Sequence, residues 1–417
     1  MPEVLLTFTG LSWQKGAAAQ VVSLVSQIRR VRKDIRISLL SHYADLDAGP
    51  AKKVGIDVVG YPLSRYTTPN TRSLELMLMR IGSAGWALAR RAGFGVPIRD
   101  EGVISAYRRA DLVLDLSGDS FRDPPGGKSI AHNVNLLACQ AFGVPYALVS
   151  QSLGPFRWHS RSLTRYCLNQ ARLIYIRERR TWRVLTDLGV KTCLVDLAPD
   201  VAFTLPAASA EEVNQIFFSE HPNVQTLPRP WVGISTSSLF FTRLSRSNRK
   251  LFLRRIIELA LHVNHTIGGS IFLVPHEIRP PQLGIDDVCA ADIVAKALEC
   301  PPWLHVIRGN YGPSEIKGIV SCFDAFVACR MHAGIAALSS GIPTAMISWS
   351  HKYAGVMEEV GLPEFVWDLL APGGTHLSNV FDELWRQRRS VSERLRDFNT
   401  RAQFDISRAV EKILSFV

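Results

Sequence analysis

The sequence predicts an α/β protein of two doubly wound, Rossmann-like domains facing a cleft, and three observations carry that expectation. Runs of strand and helix character alternate through the first half, a proline-punctuated polar stretch follows Pro206, and the alternation restarts at Trp231. Short apolar runs separated by longer helical ones make a parallel sheet covered on both faces. In the first half strands are expected at Val4 to Thr9, Ile35 to Leu40, Ile56 to Tyr61, Leu112 to Leu116, Tyr146 to Gln151 and Leu173 to Ile176. Helices are expected at Ala17 to Val31, Leu74 to Arg91, Ile130 to Phe142 and Ser162 to Ala171. The stretch PAASAEEVNQIFFSEHPNVQTLPRP then breaks the rhythm, which places the domains at residues 1–206 and 231–417 with 207–230 as a linker. The last helix is expected to pack back on the first domain. Strands in the second half are expected near Val232 to Ser235, Ile271 to Pro275, His305 to Ile307, Phe326 to Cys329 and Thr344 to Ile347, with a helix at Met331 to Ser340.

Composition narrows the class. With 417 residues, 47% hydrophobic and 20% charged, the chain has room for two full cores and is not disordered. The opening MPEVLLTFTG carries Glu3 and no basic segment before its apolar run, so it reads as a core strand rather than a secretory leader, and a cytoplasmic protein is expected. The longest apolar run, Leu136 to Val149, is interrupted by Gln140, Gly143 and Pro145, too short and too broken for a membrane span. Seven cysteines without a CxxC pair read as reduced core residues, Cys329 included. A net charge of +11 points to acidic partners: anionic small molecules, acidic lipid head groups at the inner membrane face, or nucleic acid. No zinc finger, RNP-like aromatic motif or GxxG clamp supports the last, so no nucleic acid is expected.

Chemistry concentrates in AFVACRMHAGIAALSSGIPTAMISWSHK. A strand delivers Arg330, Met331 and His332 to one point, and the next strand delivers Lys352. Ligands of open α/β sheets lie beyond the carboxyl ends of strands, beside helix N-termini that favour anions, so an anionic small molecule is expected there. His332 stands at a helix start among cations, which disfavours imidazolium and keeps the ring a base. Other strand exits supply further candidates. Lys15 and Gly16 follow the first strand in TGLSWQKGAAAQ, which matches neither GxGxxG nor GxxxxGK[ST]. Ser117, Gly118, Asp119 and Ser120 follow the fourth in DLVLDLSGDSFRD, and Gly154 closes the fifth in QSLGPF, where a structural turn is the favoured reading. Arg177 is aligned with the sheet edge, whereas Arg179, Arg180 and Arg183 can be solvated on a helix. Asp200 reads equally as a cleft residue or a cap, and FLVPHE sets His276 and Glu277 after a strand, with Asp286 and Asp287 opening the next helix. His262 and His265 share a helical turn, but without a third ligand at diagnostic spacing no metal is expected.

In order, these segments resemble the polysaccharide pyruvyl transferase family: KGA at Lys15 to Ala17, the SGDS exit, QSLGPF, Arg177 with Thr181 and Leu185, Asp200 with Phe203, and RMHAGIAALSSGIP followed by Lys352 and Gly361. The resemblance spans almost the whole chain and is strongest at the Arg330, Met331, His332 triplet. It implies a fold similar to the B-type glycosyltransferases, phosphoenolpyruvate as donor, and a hydroxyl pair of a glycan or lipid-linked sugar as acceptor, with the N-terminal domain on the acceptor side. It also implies Arg177, Arg330, Met331 and Lys352 at the donor's anionic groups and His332 in proton transfer, with no metal or organic cofactor. Arginine is the side chain best shaped to grip a carboxylate or phosphate by paired hydrogen bonds. Two departures stand out. Ala17 and Ala18 occupy positions where many members carry an acid, and the glycine triplet before the second helix is reduced to Ser117 and Gly118, so the resemblance fixes the donor better than the acceptor.

Two rival readings follow from the same residues. A nucleotide-sugar glycosyltransferase would use Glu358 or Glu359 on a ribose, leaving Arg330 and His332 without a task. A non-catalytic basic protein docking on membrane surfaces would rest on the arginine clusters Arg29 to Arg36, Arg177 to Arg183 and Arg243 to Arg255 alone and would be indifferent to changes at His332.

Overall fold

The computed structural model describes residues 1–61, 102–123, 127–349, 351–371 and 376–417. The chain forms two compact units. The first comprises residues 1–12, 20–201 and 404–417, and the second residues 13–19 and 202–403. Chain order alone would assign Trp13 to Ala19 to the first domain; instead they pack in the second unit, where Gln14 makes an antiparallel bridge to Glu277.

The first unit holds seven parallel strands: β1 (Glu3–Thr7), β2 (Arg36–Ser41), β3 (Asp57–Gly60), β4 (Leu112–Asp115), β5 (Tyr146–Gln151), β6 (Leu173–Ile176) and β7 (Val195–Leu197). Their order is β3-β2-β1-β4-β5-β6-β7, so the winding reverses between β1 and β4, where Val4 to Thr7 pair with Leu112 to Asp115. Buried strands such as β1 and β4 are apolar on both faces because helices cover both sides of the sheet. The strands expected from the sequence are present, with ends shifted by a residue or two, and β7 is added at the edge. The helix expected at Leu74 to Arg91 lies outside the described residues.

The second unit repeats the plan with β8 (Trp231–Ser235), β9 (Ser270–Val274), β10 (Leu304–Val306), β11 (Ala325–Ala328), β12 (Thr344–Ser348) and β13 (Val366–Asp368) in the order β10-β9-β8-β11-β12-β13. Here the winding reverses between β8 and β11. The stretch read as a linker contains a helix, Ala210–Glu220, opened by a capping box in which Ser209 Oγ accepts the Glu212 N–H at 3.2 Å and Glu212 Oε2 accepts the Ser209 N–H at 2.8 Å. Its buried Val213 and Phe217 belong to the second unit's packing. The long terminal helix Leu377–Leu414 contributes its last residues, from Phe404 on, to the first unit, where Lys412 pairs with Asp196. Among the described residues no helix is long and apolar enough to cross a membrane.

Candidate active site

In doubly wound sheets the crevice where strand order reverses collects the loops that follow two neighbouring strands. At the second unit's reversal β8 ends on Ser235 and its loop carries Thr236 to Ser238, while the loop after β11 leads into Arg330 to His332. Ser235 Oγ accepts the Cys329 N–H at 2.8 Å and ties the two loops together. Arg330 has extended backbone immediately before the helix Met331–Ser339, so Met331 and His332 form its first turn. Met331 is buried, and His332 is half-buried.

The guanidinium of Arg330 is not presented as an open anion grip, as the sequence suggests. Its Nη1 lies 2.5 Å from Glu277 Oε2, its Nη2 2.5 Å from Asp287 Oδ1, and its Nε donates to Asp287 Oδ2 at 3.0 Å. Nη2 also donates to Ser238 Oγ at 3.2 Å. The physical reason is burial. A side chain only 12% exposed cannot remain charged without partners, and the two carboxylates outweigh burial to hold the guanidinium above its ordinary range. Asp287 is the hub, also accepting the backbone N–H groups of Ser238 at 2.8 Å and His276 at 3.2 Å.

Around this network the second unit gathers its other basic groups. Lys15, at the start of the helix Lys15–Val31, is buried and donates from Nζ to Asn310 Oδ1 at 2.6 Å. Burial lowers its pKa to about 8, against a partial rise from Glu315. Gly16 touches His332 so closely that a methyl group on it would lie 2.5 Å from the ring's Nδ1. Lys352 lies in the first turn of the helix His351–Val360 after β12, its Nζ 5.7 Å from the Tyr353 ring centroid, and Tyr353 in turn donates to the Cys329 carbonyl at 3.2 Å.

His276 is 5% exposed, and among the described residues neither of its ring nitrogens has a hydrogen-bond partner. Burial first, then the neighbouring His332, Arg330 and Lys15, hold its pKa well below 6.5. Below that value the unfolded chain takes up a proton that the folded chain refuses. The stability owed to this group is therefore complete above about pH 6.5 and is lost as pH falls, by at most about 1.4 kcal/mol per pH unit. His276→Gln is expected to flatten this acid limb in urea unfolding compared near pH 5 and pH 7.5. An unchanged slope would mean that His276 protonates freely in the fold.

The first unit carries a separate polar edge at its own reversal. Asp115 closes β4, and its Oδ2 lies 2.9 Å from His132 Nδ1, while His132 Nε2 lies 2.8 Å from Ser120 Oγ. Burial pushes the Asp115 carboxyl up, but His132 and Ser117 outweigh it and hold it below the usual carboxylate range. The imidazole is clamped between Phe8, at 3.7 Å between ring centroids, and Phe121, at 4.7 Å. Phe8 pays for this placement with a φ of 59°, a left-handed backbone rare in a bulky residue. Ser120 is legible in the sequence as part of the SGDS exit, whereas Asp115 and His132 lie on different elements at no diagnostic spacing and carry no such signal.

The remaining candidates fall on the same edge. Ser117 Oγ donates to Gln151 Oε1 at 2.8 Å, and Gly118 has a φ of 63° that favours glycine. The Asp119 carbonyl accepts from Arg122 Nε at 3.0 Å. Gly154 follows β5, packed toward Val184. Arg177, at the end of β6, is buried, with Nη1 on Asp200 Oδ2 at 2.6 Å and Nε on Ser152 Oγ at 2.8 Å. Asp200 also accepts from Gln20 Nε2 at 3.0 Å, so its carboxylate is shared between Arg177 and Gln20. The structure thus groups Lys15, Gly16, His276, Arg330 and His332 in the second unit, and Ser117, Gly118, Ser120, Arg177 and Asp200 in the first.

Two Rossmann-like units of this topology define a fold of the B-type glycosyltransferase kind, and solved structures agree. The chain is similar to Anabaena HepE in complex with UDP-glucose (12% identity, all of both chains, TM-score 0.58). It is also similar to UDP-GlcNAc 2-epimerase from Neisseria meningitidis (12%, 99% of both chains, TM-score 0.63) and to a UGT transferase from Siraitia grosvenorii (10%, 99% of this chain and all of the other, TM-score 0.57). An epimerase and transferases share this fold, so it fixes architecture and leaves the reaction open. The chain belongs to the polysaccharide pyruvyl transferase family, whose sequence model matches residues 15–351. It is 19% identical over 267 residues to the amylovoran biosynthesis protein AmsJ of Erwinia amylovora, a match spanning 63% of this chain and 62% of that protein.

Proposed function

We propose that this protein transfers a pyruvyl group from phosphoenolpyruvate to hydroxyls of a sugar in a polysaccharide or its precursor, forming a pyruvate ketal. The observation that carries the reading is the seating of His332 in the first turn of its helix, against Gly16 and beside His276, Lys15 and the braced Arg330. Two helix N-termini, at Lys15 and Met331, and the amines of Lys15 and Lys352 suit a donor carrying both a carboxylate and a phosphate. Arg330, held by Glu277 and Asp287, acts as a positioning residue that keeps the helix start in place.

In this reading His332 delivers a proton to the methylene carbon of the donor. The bond between C2 and the phosphate oxygen breaks, phosphate leaves, and two acceptor oxygens bond to C2. Of the two hydroxyl protons released, one replaces the proton given to carbon and the other leaves with phosphate. His332, left neutral by that delivery, takes up the first of them as a base and returns to its starting state. The scheme calls for no metal or organic cofactor.

The test incubates the protein with phosphoenolpyruvate and candidate glycans and follows phosphate release together with glycan mass. His332→Ala is expected to lose roughly 10²–10⁴-fold in turnover. Turnover by His332→Ala equal to that of the parent would remove the imidazole from the mechanism. Phosphate release without any mass gain across the acceptor panel would argue against ketal formation.

A further inference from the structure

No aspartate or glutamate occurs between Asp123 and Glu178, in a chain whose acids otherwise number 37 in 417 residues. Within that gap the helix Trp158–Asn169 buries Ser160, Thr164, Cys167 and Leu168 and leaves its other face bare. On the bare face Trp158 is 86% exposed, Tyr166 52% and Leu163 41%. Arg157, Arg161 and Arg165 are exposed on the same segment. Asp123 joins this helix to its neighbour Ser129–Phe142: its carboxylate accepts from the Arg157 N–H at 2.6 Å, from Ser160 Oγ at 2.7 Å, and from Ser129 Oγ. The first turn of that neighbour adds Ile130, 56% exposed, next to an exposed Lys128.

We propose that this face of the first unit docks the protein on an anionic phospholipid bilayer. Trp158, Leu163, Tyr166 and Ile130 would enter the headgroup layer while Arg157, Arg161, Arg165 and Lys128 pair with lipid phosphates. The chemistry is that of an interfacial amphipathic helix: aromatic residues, apolar on one side and polar at the tip, beside cations that outnumber the neighbouring exposed Asp187, whose carbonyl accepts from Arg161 Nη2 at 2.7 Å. Charge complementarity selects this occupant over a second copy of the chain. A two-fold contact would set this excess of arginine charge against itself.

Cosedimentation of the intact protein with vesicles tests the idea. Binding is expected to vesicles of phosphatidylcholine containing phosphatidylglycerol, not to phosphatidylcholine alone, and to weaken as salt is raised. The paired change Trp158→Ser and Tyr166→Ser keeps the net charge and touches no core, and it is expected to weaken binding at least roughly tenfold with an unchanged melting curve. Arg246→Ser with Arg249→Ser, which removes two charges from another helix, is expected to matter far less. Three results would overturn the proposal: no vesicle binding by the parent, equal loss in both variants, or a Trp158-dependent affinity for soluble polyanions such as dextran sulfate or RNA that matches the affinity for vesicles. Because the readout is lipid binding, a missing pyruvyl transfer activity would leave it standing.

Discussion

Asp287→Ala is expected to destabilise the second unit by about 3–5 kcal/mol, the range found when one partner of a buried ion pair is removed. The carboxylate is 0% exposed and accepts two hydrogen bonds from Arg330 and two from backbone N–H groups, so its loss strands a guanidinium and two amides at once. Glu277 would remain on Arg330 but is already shared with Arg279. For a unit of this size the loss corresponds to a fall in thermal midpoint on the order of 10 °C, read by calorimetry. Adding Arg330→Met should recover part of it, because an apolar replacement of both charges removes the stranded group. A midpoint within a degree or two of the parent would show that water reaches Arg330 and that the network carries little.

Gly16→Ala should act on turnover more than on folding. Alanine is the better helix former by up to about 1 kcal/mol, so propensity alone predicts a small gain. The new methyl group, however, would sit 2.5 Å from Nδ1, 2.7 Å from Cγ and 2.9 Å from Cβ of His332, and contact with Cβ leaves the ring no hinge about which to swing clear. Reaching an ordinary separation of 3.4 Å moves the imidazole by about 0.9 Å. A displacement of that size commonly costs on the order of 100-fold in rate. Phosphate release measures the rate, and the His332 ring resonances report the displacement whether or not the reaction has been assigned correctly. Unshifted resonances would mean that the two helix starts separate easily.

The sequence made the architecture legible because buried parallel strands are short, apolar and bounded by turns. Runs such as Leu112 to Leu116 and Phe326 to Cys329 could hardly read otherwise. The edge strands β7 and β13 escaped, being three residues long and only partly apolar. The helix at Ala210–Glu220 carried a visible capping box but was masked by the prolines around it. At the site, the order of strand exits made Arg330, His332 and Lys15 readable as candidates. Their partners were not. Glu277 and Asp287 lie 53 and 43 residues before Arg330 in the chain, and only the sheet order β9-β8-β11 brings them to it. The same holds for His132, whose partners lie at the end of β4 (Asp115) and in the loop after it (Ser120). Local pattern reports which residues leave a strand, while pairing across the sheet decides what those residues meet.

The placement of Trp13 to Ala19 with residues 202–403 bears on how the gene can be dissected. A fragment starting after the proline-rich stretch would hold every strand of its sheet yet lack the lysine, the glycine and the short bridge that complete its carboxyl edge. A fragment ending there would lose the closing turns of the terminal helix. Each half is finished by a piece that lies on the other side of the proline-rich stretch, so the two units cannot be parted by a single cut there.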